Sequence, residues 1–172
     1  MKRIVFTILM ALVTLSVSAQ EWGPSGYGNR FSPVSDGALQ KGYRGIVEMG
    51  HGFTTDICYI NQFTISQGYQ FNPYLYWGGF TNFGLGCLGD AFAFQFGSDF
   101  RVYMSKGKVA PFITSRVGGY VCWDCGIYPY LDGSLGLRIA LNNNFGLNFA
   151  FQAGSGCCWD GAELLFKVGF EF

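Results

Sequence analysis

The last eleven residues of the chain, AELLFKVGFEF, alternate between two kinds of side chain. Even positions from 162 to 172 carry Ala, Leu, Phe, Val, Phe and Phe, whereas the odd positions between them carry Glu, Leu, Lys, Gly and Glu. A period of two indicates a β-strand, because successive side chains of a strand point to opposite faces of the sheet. The segment is therefore predicted to be a strand with one apolar face and one largely charged face.

The same alternation returns along the chain at the spacing of consecutive hairpins. It is clear over residues 92–103, 135–141 and 145–152, and less regular over residues 43–50, 58–71, 74–85 and 109–121. Turn-forming stretches, NP at 72–73, SKGK at 105–108 and NNN at 142–144, alternate with longer connections rich in Gly and Cys. Together with the last segment this predicts eight strands, with short turns at one end and longer loops at the other.

Composition decides which kind of sheet these strands form. Only 13% of the residues are charged, and 18 Phe and 10 Tyr make the chain too apolar and aromatic for an ordinary secreted domain. A transmembrane β-barrel confines its apolar residues to alternate positions of segments of about 10 residues, so it needs no long apolar run. We therefore predict an all-β fold, an antiparallel up-and-down transmembrane β-barrel of about eight strands.

The first nineteen residues are predicted to direct export. Lys2 and Arg3 precede an apolar run at residues 4–17, and small side chains follow up to Ala19. This is the pattern of a cleaved signal peptide over residues 1–19, and the run is shorter than the roughly 20 residues of a membrane-spanning helix. We expect residues 20–40 to be a flexible periplasmic lead-in and residues 41–172 to be the barrel domain. The chain has a formal net charge of +0, so no nucleic-acid partner is expected.

Charged residues of the predicted strands collect on the face opposite the large apolar side chains. A soluble barrel of the lipocalin type would show the reverse polarity, with an apolar lumen and a polar outside. An eight-stranded barrel is only wide enough for side chains to fill it, and buried charges are tolerable when they pair. We therefore predict a charge-plugged lumen and not a diffusion pore, formed by Arg44, Glu48, Asp99, Arg101, Arg116, Arg138, Glu163, Lys167 and Glu171.

Closure of the barrel predicts one particular ion pair among these residues. Arg44 begins the first strand and Glu171 ends the last, and these two strands must be neighbours if the barrel closes. We expect the two side chains to pair at the periplasmic end.

All six cysteines fall at the external end when strands are counted from a periplasmic N-terminus. Exported, exposed cysteines in even number usually form disulfides. If Asn72 and Pro73 form a two-residue turn, the numbers of opposed residues sum to about 145, which sets Cys58 against Cys87 and leaves four cysteines to join the third and fourth loops. The alternative is a zinc site built from CWDC and CCWD, whose spacing is not that of paired CxxC knuckles. We expect disulfides, and neither a metal nor another cofactor, at Cys58, Cys87, Cys122, Cys125, Cys157 and Cys158.

Residues 41–172 resemble the small eight-stranded outer-membrane barrels of Gram-negative bacteria, of the OmpA transmembrane domain or OmpX kind. The resemblance lies in the architecture, in KGYRG at the first strand, in GYQFNPYLY across the first turn and in the terminal GFEF. It implies the outer membrane as location, outer-membrane lipid as surroundings and the barrel assembly machinery as a partner during insertion. In this family a terminal aromatic residue, here Phe172, is the assembly signal.

No enzymatic activity is expected. Some small outer-membrane barrels modify lipid A, and the deacylases among them use a lipid-facing Ser–His pair. The only histidine, His51, lies at the outer end of the first strand, whereas Ser98 and Ser115 lie on the fourth and fifth strands. The sequence therefore predicts no such pair.

The external loops carry the remaining candidates for function, Trp123, Tyr128 and Trp159. These aromatic side chains would either contact an external ligand, whose identity is unknown, or anchor the barrel in the outer leaflet. We predict a structural outer-membrane barrel with disulfide-stapled loops and a surface-interaction role as an open question. The alternatives are an adhesin-like or ligand-binding surface protein and a lipid-A-modifying enzyme.

Overall fold

The computed structural model describes residues 41–54, 59–86, 91–122, 126–141, 145–155 and 162–172. They form eight antiparallel strands in a closed barrel, which confirms the predicted fold class. In chain order the strands are β1 (Gly42–Thr54), β2 (Tyr59–Asn72), β3 (Leu75–Gly86), β4 (Ala91–Tyr103), β5 (Val109–Cys122), β6 (Gly126–Ala140), β7 (Gly146–Ser155) and β8 (Ala162–Glu171). Within the described residues no helix is long and apolar enough to cross a membrane.

The barrel closes between its first and last strands. Gly45 and Phe172 exchange two backbone hydrogen bonds, in which the Gly45 amide donates over 2.7 Å and the Phe172 amide over 2.9 Å. Directly paired residues can be followed around the barrel from one strand to the next. Starting at Thr54 on β1 and passing through β8, β7 and the remaining strands, this row of pairs returns to β1 at Arg44, ten residues from its start. This stagger means that the strands are tilted, and groups far apart in sequence reach the same level of the lumen.

Alternation sets the direction of each side chain, as the sequence predicts. The outward face carries large apolar side chains that are strongly exposed, such as Ile127 at 72% and Phe151 at 71%. The inward face carries polar and charged side chains, and Asp99, Arg101 and Glu171 are fully buried there. This polarity is the inverse of a soluble barrel, which would place its apolar side chains inside.

The first turn differs from the predicted one. Its central residues are Pro73 and Tyr74, and the Asn72 side-chain oxygen accepts hydrogen bonds from the amides of Tyr74 (2.8 Å) and Leu75 (3.0 Å). A β-bulge between Gln70 and Asn72 shifts the register. Opposed residues therefore follow pairs such as Asn61 with Leu85, one residue away from the predicted sum. The predicted register was wrong, and with it the argument that Cys58 and Cys87 lie directly opposite each other.

The predicted contrast between short turns and long loops was also wrong. The segments at the end opposite Phe172 are residues 55–58, 87–90, 123–125 and 156–161, and those at the other end are residues 73–74, 104–108 and 141–145. The strands use up the chain that the sequence assigned to loops, since β1 extends to Thr54 and β6 begins at Gly126. Cys122 is the last residue of β5, and the other cysteines, Cys58, Cys87, Cys125, Cys157 and Cys158, lie outside the described residues.

Candidate functional site

An ion cluster lies in the lumen at the end of the barrel where β8 ends. The Glu171 carboxylate accepts from Arg44 Nη1 at 3.2 Å, which is the pair that strand closure predicts. Its second oxygen accepts from Arg138 Nε at 3.1 Å and from the Tyr103 hydroxyl at 3.2 Å. One carboxylate therefore joins side chains of three other strands.

A second cluster of four charges lies further along the lumen. Glu48 accepts from Arg101 Nη1 at 2.8 Å and from Arg116 Nη2 at 2.5 Å. Asp99 contacts the same two arginines, at 3.1 Å from Arg101 Nη2 and 3.4 Å from Arg116 Nε. The four groups make a ring of alternating sign, and none is more than 3% exposed. Each buried charge thereby faces two opposite charges, the arrangement that offsets the cost of desolvation.

Local register brings this ring together. Asp99 and Arg116 are directly opposed on β4 and β5, and Arg101 follows Asp99 by two residues on the same face of β4. Glu48 reaches them from β1, on the other side of the lumen. The ring therefore connects strands that are not neighbours.

Uncharged polar side chains continue the network toward the opposite end. The Asn82 amide donates to Gln62 Oε1 at 3.0 Å and to Gln95 Oε1 at 2.6 Å, and Gln62 Nε2 donates to Glu163 at 2.7 Å. Lys167 Nζ donates to the Thr64 hydroxyl at 3.4 Å. Side chains of four strands, β2, β3, β4 and β8, thus fill this part of the lumen by direct contact.

Aromatic rings form a further layer of the lumen. Phe80 and Tyr130 have ring centroids 6.0 Å apart and pack with Tyr120 and Ala93. Two glycines lie between these rings along the sheet, since Phe80 is paired with Gly97, Gly97 with Gly118, and Gly118 with Tyr130. A Cβ atom at Gly97 would lie 2.1 Å from the Val117 carbonyl oxygen, so the two strands approach too closely there for any side chain. The glycines leave the room that the two rings occupy.

All nine charged side chains assigned to the lumen from the sequence are buried on the inward face. None is more than 5% exposed, and they are Arg44, Glu48, Asp99, Arg101, Arg116, Arg138, Glu163, Lys167 and Glu171. Sequence reasoning missed a tenth, Asp132, which is 3% exposed and accepts from the Tyr130 hydroxyl at 2.5 Å. Alternation of Tyr130, Asp132 and Ser134 was the available signal. With Asp132, the inward charges of the described residues number five positive and five negative.

The structure does not assemble a Ser–His pair among the described residues. His51 points outward from β1, its Nδ1 lies 2.8 Å from Asn61 Oδ1, and its ring stacks on Tyr59 at 6.1 Å. Ser98 and Ser115 lie on β4 and β5, and β1 pairs with β2 and β8. His51 therefore has an amide, not a hydroxyl, as its side-chain partner.

Tyr128 is not a loop residue, contrary to the sequence-based assignment. It lies in β6, half-buried, and packs against the Phe80, Tyr120 and Tyr130 layer. Its neighbours explain the difference, because β6 begins at Gly126 and keeps pairing with β5 through this stretch. Trp123 and Trp159 lie outside the described residues. No group of three or more His, Cys, Asp or Glu within the described part of the chain could hold a metal ion.

Phe172 follows β8 on the outward face. Its ring covers Gly45, where an added Cβ atom would lie 2.6 Å from the ring. The aromatic residue therefore packs directly on the first strand at the seam of the barrel.

Solved structures with this fold are small barrels. The chain matches Neisserial surface protein A with a TM-score of 0.59 and 13% identity, over 76% of this chain and 95% of that one. It matches the N-terminal β-barrel domain of Pseudomonas aeruginosa OprF with a TM-score of 0.54 and 13% identity, over 77% and 100% of the two chains. The outer membrane enzyme PagL matches with a TM-score of 0.50 and 13% identity, over 74% and 98%.

Sequence comparison adds nothing to these structural matches. No protein-family model matches the chain, and no curated protein matches it. The chain has the fold of the small eight-stranded outer-membrane barrels, as the sequence predicts.

Proposed function

We propose that the chain is a structural outer-membrane barrel of a Gram-negative bacterium with a sealed lumen. The observation that carries this proposal is the polarity of the barrel, in which ion-paired side chains fill the inside and large apolar side chains cover the outside. In lipid, every backbone polar group must be satisfied within the protein, and a closed barrel meets this requirement.

The outward face supports a membrane location more than an aqueous one. Soluble monomers rarely expose apolar patches larger than a few hundred Å². Here exposed apolar side chains occur on all eight strands, among them Met49, Tyr59, Trp77, Phe96, Val117, Leu135, Phe151 and Phe170. A bilayer removes this surface from water, whereas a soluble location would leave it exposed.

The lumen supports a structural role over transport. The two ion clusters and the aromatic layer occupy successive levels, so a solute would have to displace buried charge pairs to pass. The proposed plug consists of the nine charged residues assigned from the sequence together with Asp132.

The external end supports a second, finer part of the proposal. We infer that the six cysteines form disulfides there and stiffen the segments that carry Trp123 and Trp159. Aromatic side chains on stiffened segments lose little entropy on contact, which suits a surface that binds a partner. An adhesin-like or ligand-binding role is therefore the alternative to a purely structural one.

A lipid-A-modifying activity is the less favoured alternative. The fold match to PagL concerns the barrel, and His51 has Asn61 as its hydrogen-bond partner. A lipid-A mass spectrum of cells with and without the protein separates this alternative from the others, since an enzyme would change the acylation pattern.

The location is tested by fractionation of cells that express the full chain. We expect the protein in the outer-membrane fraction, with a band whose gel migration changes when the sample is heated, as is usual for folded barrels. The unheated sample is the control for folding. Recovery of the chain as a soluble periplasmic protein would contradict the proposal.

A further inference from the structure

A groove lies on the outward face of β1 to β4, on the opposite side of the barrel wall from the proposed plug. It has a volume of about 470 Å³, within the range of small-molecule sites, roughly 300 to 1,000 Å³. Its walls are aromatic and its floor is formed by small residues. The lining side chains and backbone include Tyr43, Tyr69, Phe71, Trp77, Gly79 and Ser98.

The groove is held open by its own walls. The Trp77 ring stacks on Phe100 with centroids 5.6 Å apart, and the Tyr69 ring meets the Phe71 ring edge-on at 5.4 Å. At the floor, a Cβ atom added to Gly79 would meet nothing closer than the Gly97 carbonyl oxygen at 3.6 Å. The space above Gly79 is therefore open and not filled by a neighbouring side chain.

Two exposed lysines lie at the same end of the barrel as Tyr43 and Phe71, which line the groove. Lys41 directly precedes Gly42, which pairs with Gln70, the residue before Phe71. Lys106 Nζ lies 5.2 Å from the ring centroid of Tyr74, in the turn that joins β2 to β3. Both lysines are exposed, and every acidic side chain of the described residues points into the lumen. The outward face at this end of the barrel therefore combines positive charge with an apolar groove.

We propose that this groove binds an acyl chain of an anionic phospholipid in the periplasmic leaflet, with the lipid phosphate at Lys41 and Lys106. The inference rests on the proposed function, because an outer-membrane barrel of this orientation places the turns of β2–β3 and β4–β5 in the periplasm. Aromatic walls already fixed by ring contacts lose little freedom when a chain packs between them. Each lysine beside an anionic headgroup increases binding about fivefold.

Trp77 makes the occupant of the groove measurable. In the mature chain, Trp22→Phe, Trp123→Phe and Trp159→Phe leave Trp77 as the only tryptophan. This protein is refolded into phosphatidylcholine vesicles that contain a small fraction of phosphatidylglycerol with brominated acyl chains. Bromine quenches tryptophan fluorescence on contact. We expect stronger quenching than with the same fraction of brominated phosphatidylcholine.

Charge variants test the two lysines. Lys41→Gln and Lys106→Gln should each lower the preference for phosphatidylglycerol about fivefold. Lys108→Gln is the matched control, because Lys108 is exposed in the same turn as Lys106, whereas it is the Lys106 ammonium that lies over the Tyr74 ring. Its preference should equal that of the parent protein.

A bulk variant tests the groove. Gly79→Leu should fill the groove and remove the preference, whereas Gly133→Leu should leave it unchanged. Gly133 also faces outward, on β6, where an added Cβ atom would lie 3.7 Å from the nearest heavy atom, the Thr114 carbonyl oxygen. Both variants must retain the heat-modifiable band of the folded barrel.

Three outcomes would overturn the inference. The first is equal quenching by the two brominated lipids, and the second is a preference that survives Gly79→Leu. The third is weak quenching by both lipids together with a dimer after chemical cross-linking in the same vesicles. That result would mean that a second copy of the chain fills the groove. Absence of quenching by either lipid would instead mean that the barrel does not enter the bilayer, and the proposed function itself would fail.

Discussion

Glu48 is the group whose loss should disturb the lumen most clearly. Its two oxygens accept from Arg101 at 2.8 Å and from Arg116 at 2.5 Å, and all three side chains are buried. The substitution Glu48→Gln keeps the shape of the side chain and removes its charge. Two buried arginines then share Asp99 as the only remaining acid of the ring.

The magnitude follows from the contacts of the ring. Unit charges about 4 Å apart interact by about 4 kcal/mol at an effective dielectric constant of about 20, and Glu48 has two such partners. Its removal also relieves repulsion by Asp99, which offsets about one contact of that size. The net loss in the free energy of unfolding should be about 3 to 5 kcal/mol, the range for breaking a buried ion pair.

The measurement is equilibrium unfolding by urea of the protein refolded into lipid vesicles, followed by tryptophan fluorescence in both directions. Thr114→Val is the matched control. Thr114 is opposed to Arg101 on the neighbouring strand, is 1% exposed, and its hydroxyl has no hydrogen-bond partner among the described residues. Removing an unsatisfied hydroxyl should change stability by about 1 kcal/mol or less.

The double variant distinguishes pairing from general disturbance. Glu48→Gln with Arg101→Gln leaves one acid, Asp99, and one base, Arg116, which are in contact. We expect the double loss to fall short of the sum of the single losses by about 1 to 3 kcal/mol. A loss below about 1 kcal/mol for Glu48→Gln, or strict additivity, would refute the assignment of this ring as a stabilising network.

Three further predictions concern the backbone, the cysteines and the lumen as a whole. Gly97→Ala should lower the free energy of unfolding by about 1 to 3 kcal/mol because its Cβ atom meets the Val117 carbonyl at 2.1 Å, whereas Gly133→Ala should stay within about 0.5 kcal/mol. Peptide mapping of the exported protein without reduction should find the cysteines in disulfides, and six alkylatable thiols or a thiolate-bound metal would contradict this. Planar bilayers containing the purified protein should show no stepwise conductance, and a sustained open level would contradict the sealed lumen.

The faces of the strands were predictable because they depend on local sequence. In residues 162–171, successive side chains point alternately to the exterior and to the lumen, so the sequence of a single strand shows which of its side chains face inward. The first turn was not predictable to one residue, because the bulge between Gln70 and Asn72 adds a residue at the end of β2, where Phe71 and Asn72 are both exposed and no further alternation follows to reveal it.

The start of β6 was missed for a related reason. The predicted strand began only at residue 135, so the stretch before it was assigned to a loop and Asp132 was overlooked, and this stretch contains Pro129 and Gly133, residue types that favour turns. Pro129 is tolerated because, among the described residues, β6 pairs only with β5 at this level, and its pairing with β7 extends only to Asp132. A strand can contain proline where one of its edges makes no ladder bond.

Partners across the lumen could not be predicted from alternation. Glu48 and Arg101 lie on β1 and β4, and their contact depends on the ten-residue stagger that appears when the barrel closes. The pair of Arg44 and Glu171 was predicted from the sequence, because closure alone makes their strands neighbours. The pairs of Asp99 with Arg101 and Arg116 lie within the β4–β5 hairpin, whereas the contacts of Glu48 with those arginines and of Glu171 with Arg138 depend on the whole barrel.

The proposed plug combines two layers of different chemistry that contact each other. The row Gly78, Asp99, Arg116 and Asp132 lies two residues along the strands from the row Phe80, Gly97, Gly118 and Tyr130. The Arg116 guanidinium carbon lies 5.6 Å from the ring centroid of Phe80, so the ring of charges meets the aromatic layer directly. We therefore expect the loss of an ion pair to loosen the charges without opening a channel, because the rings of Phe80 and Tyr130 remain at the level of Gly97 and Gly118. Opening it would require both layers to be disrupted together, which is why a substitution in either one should reduce stability long before it permits conduction.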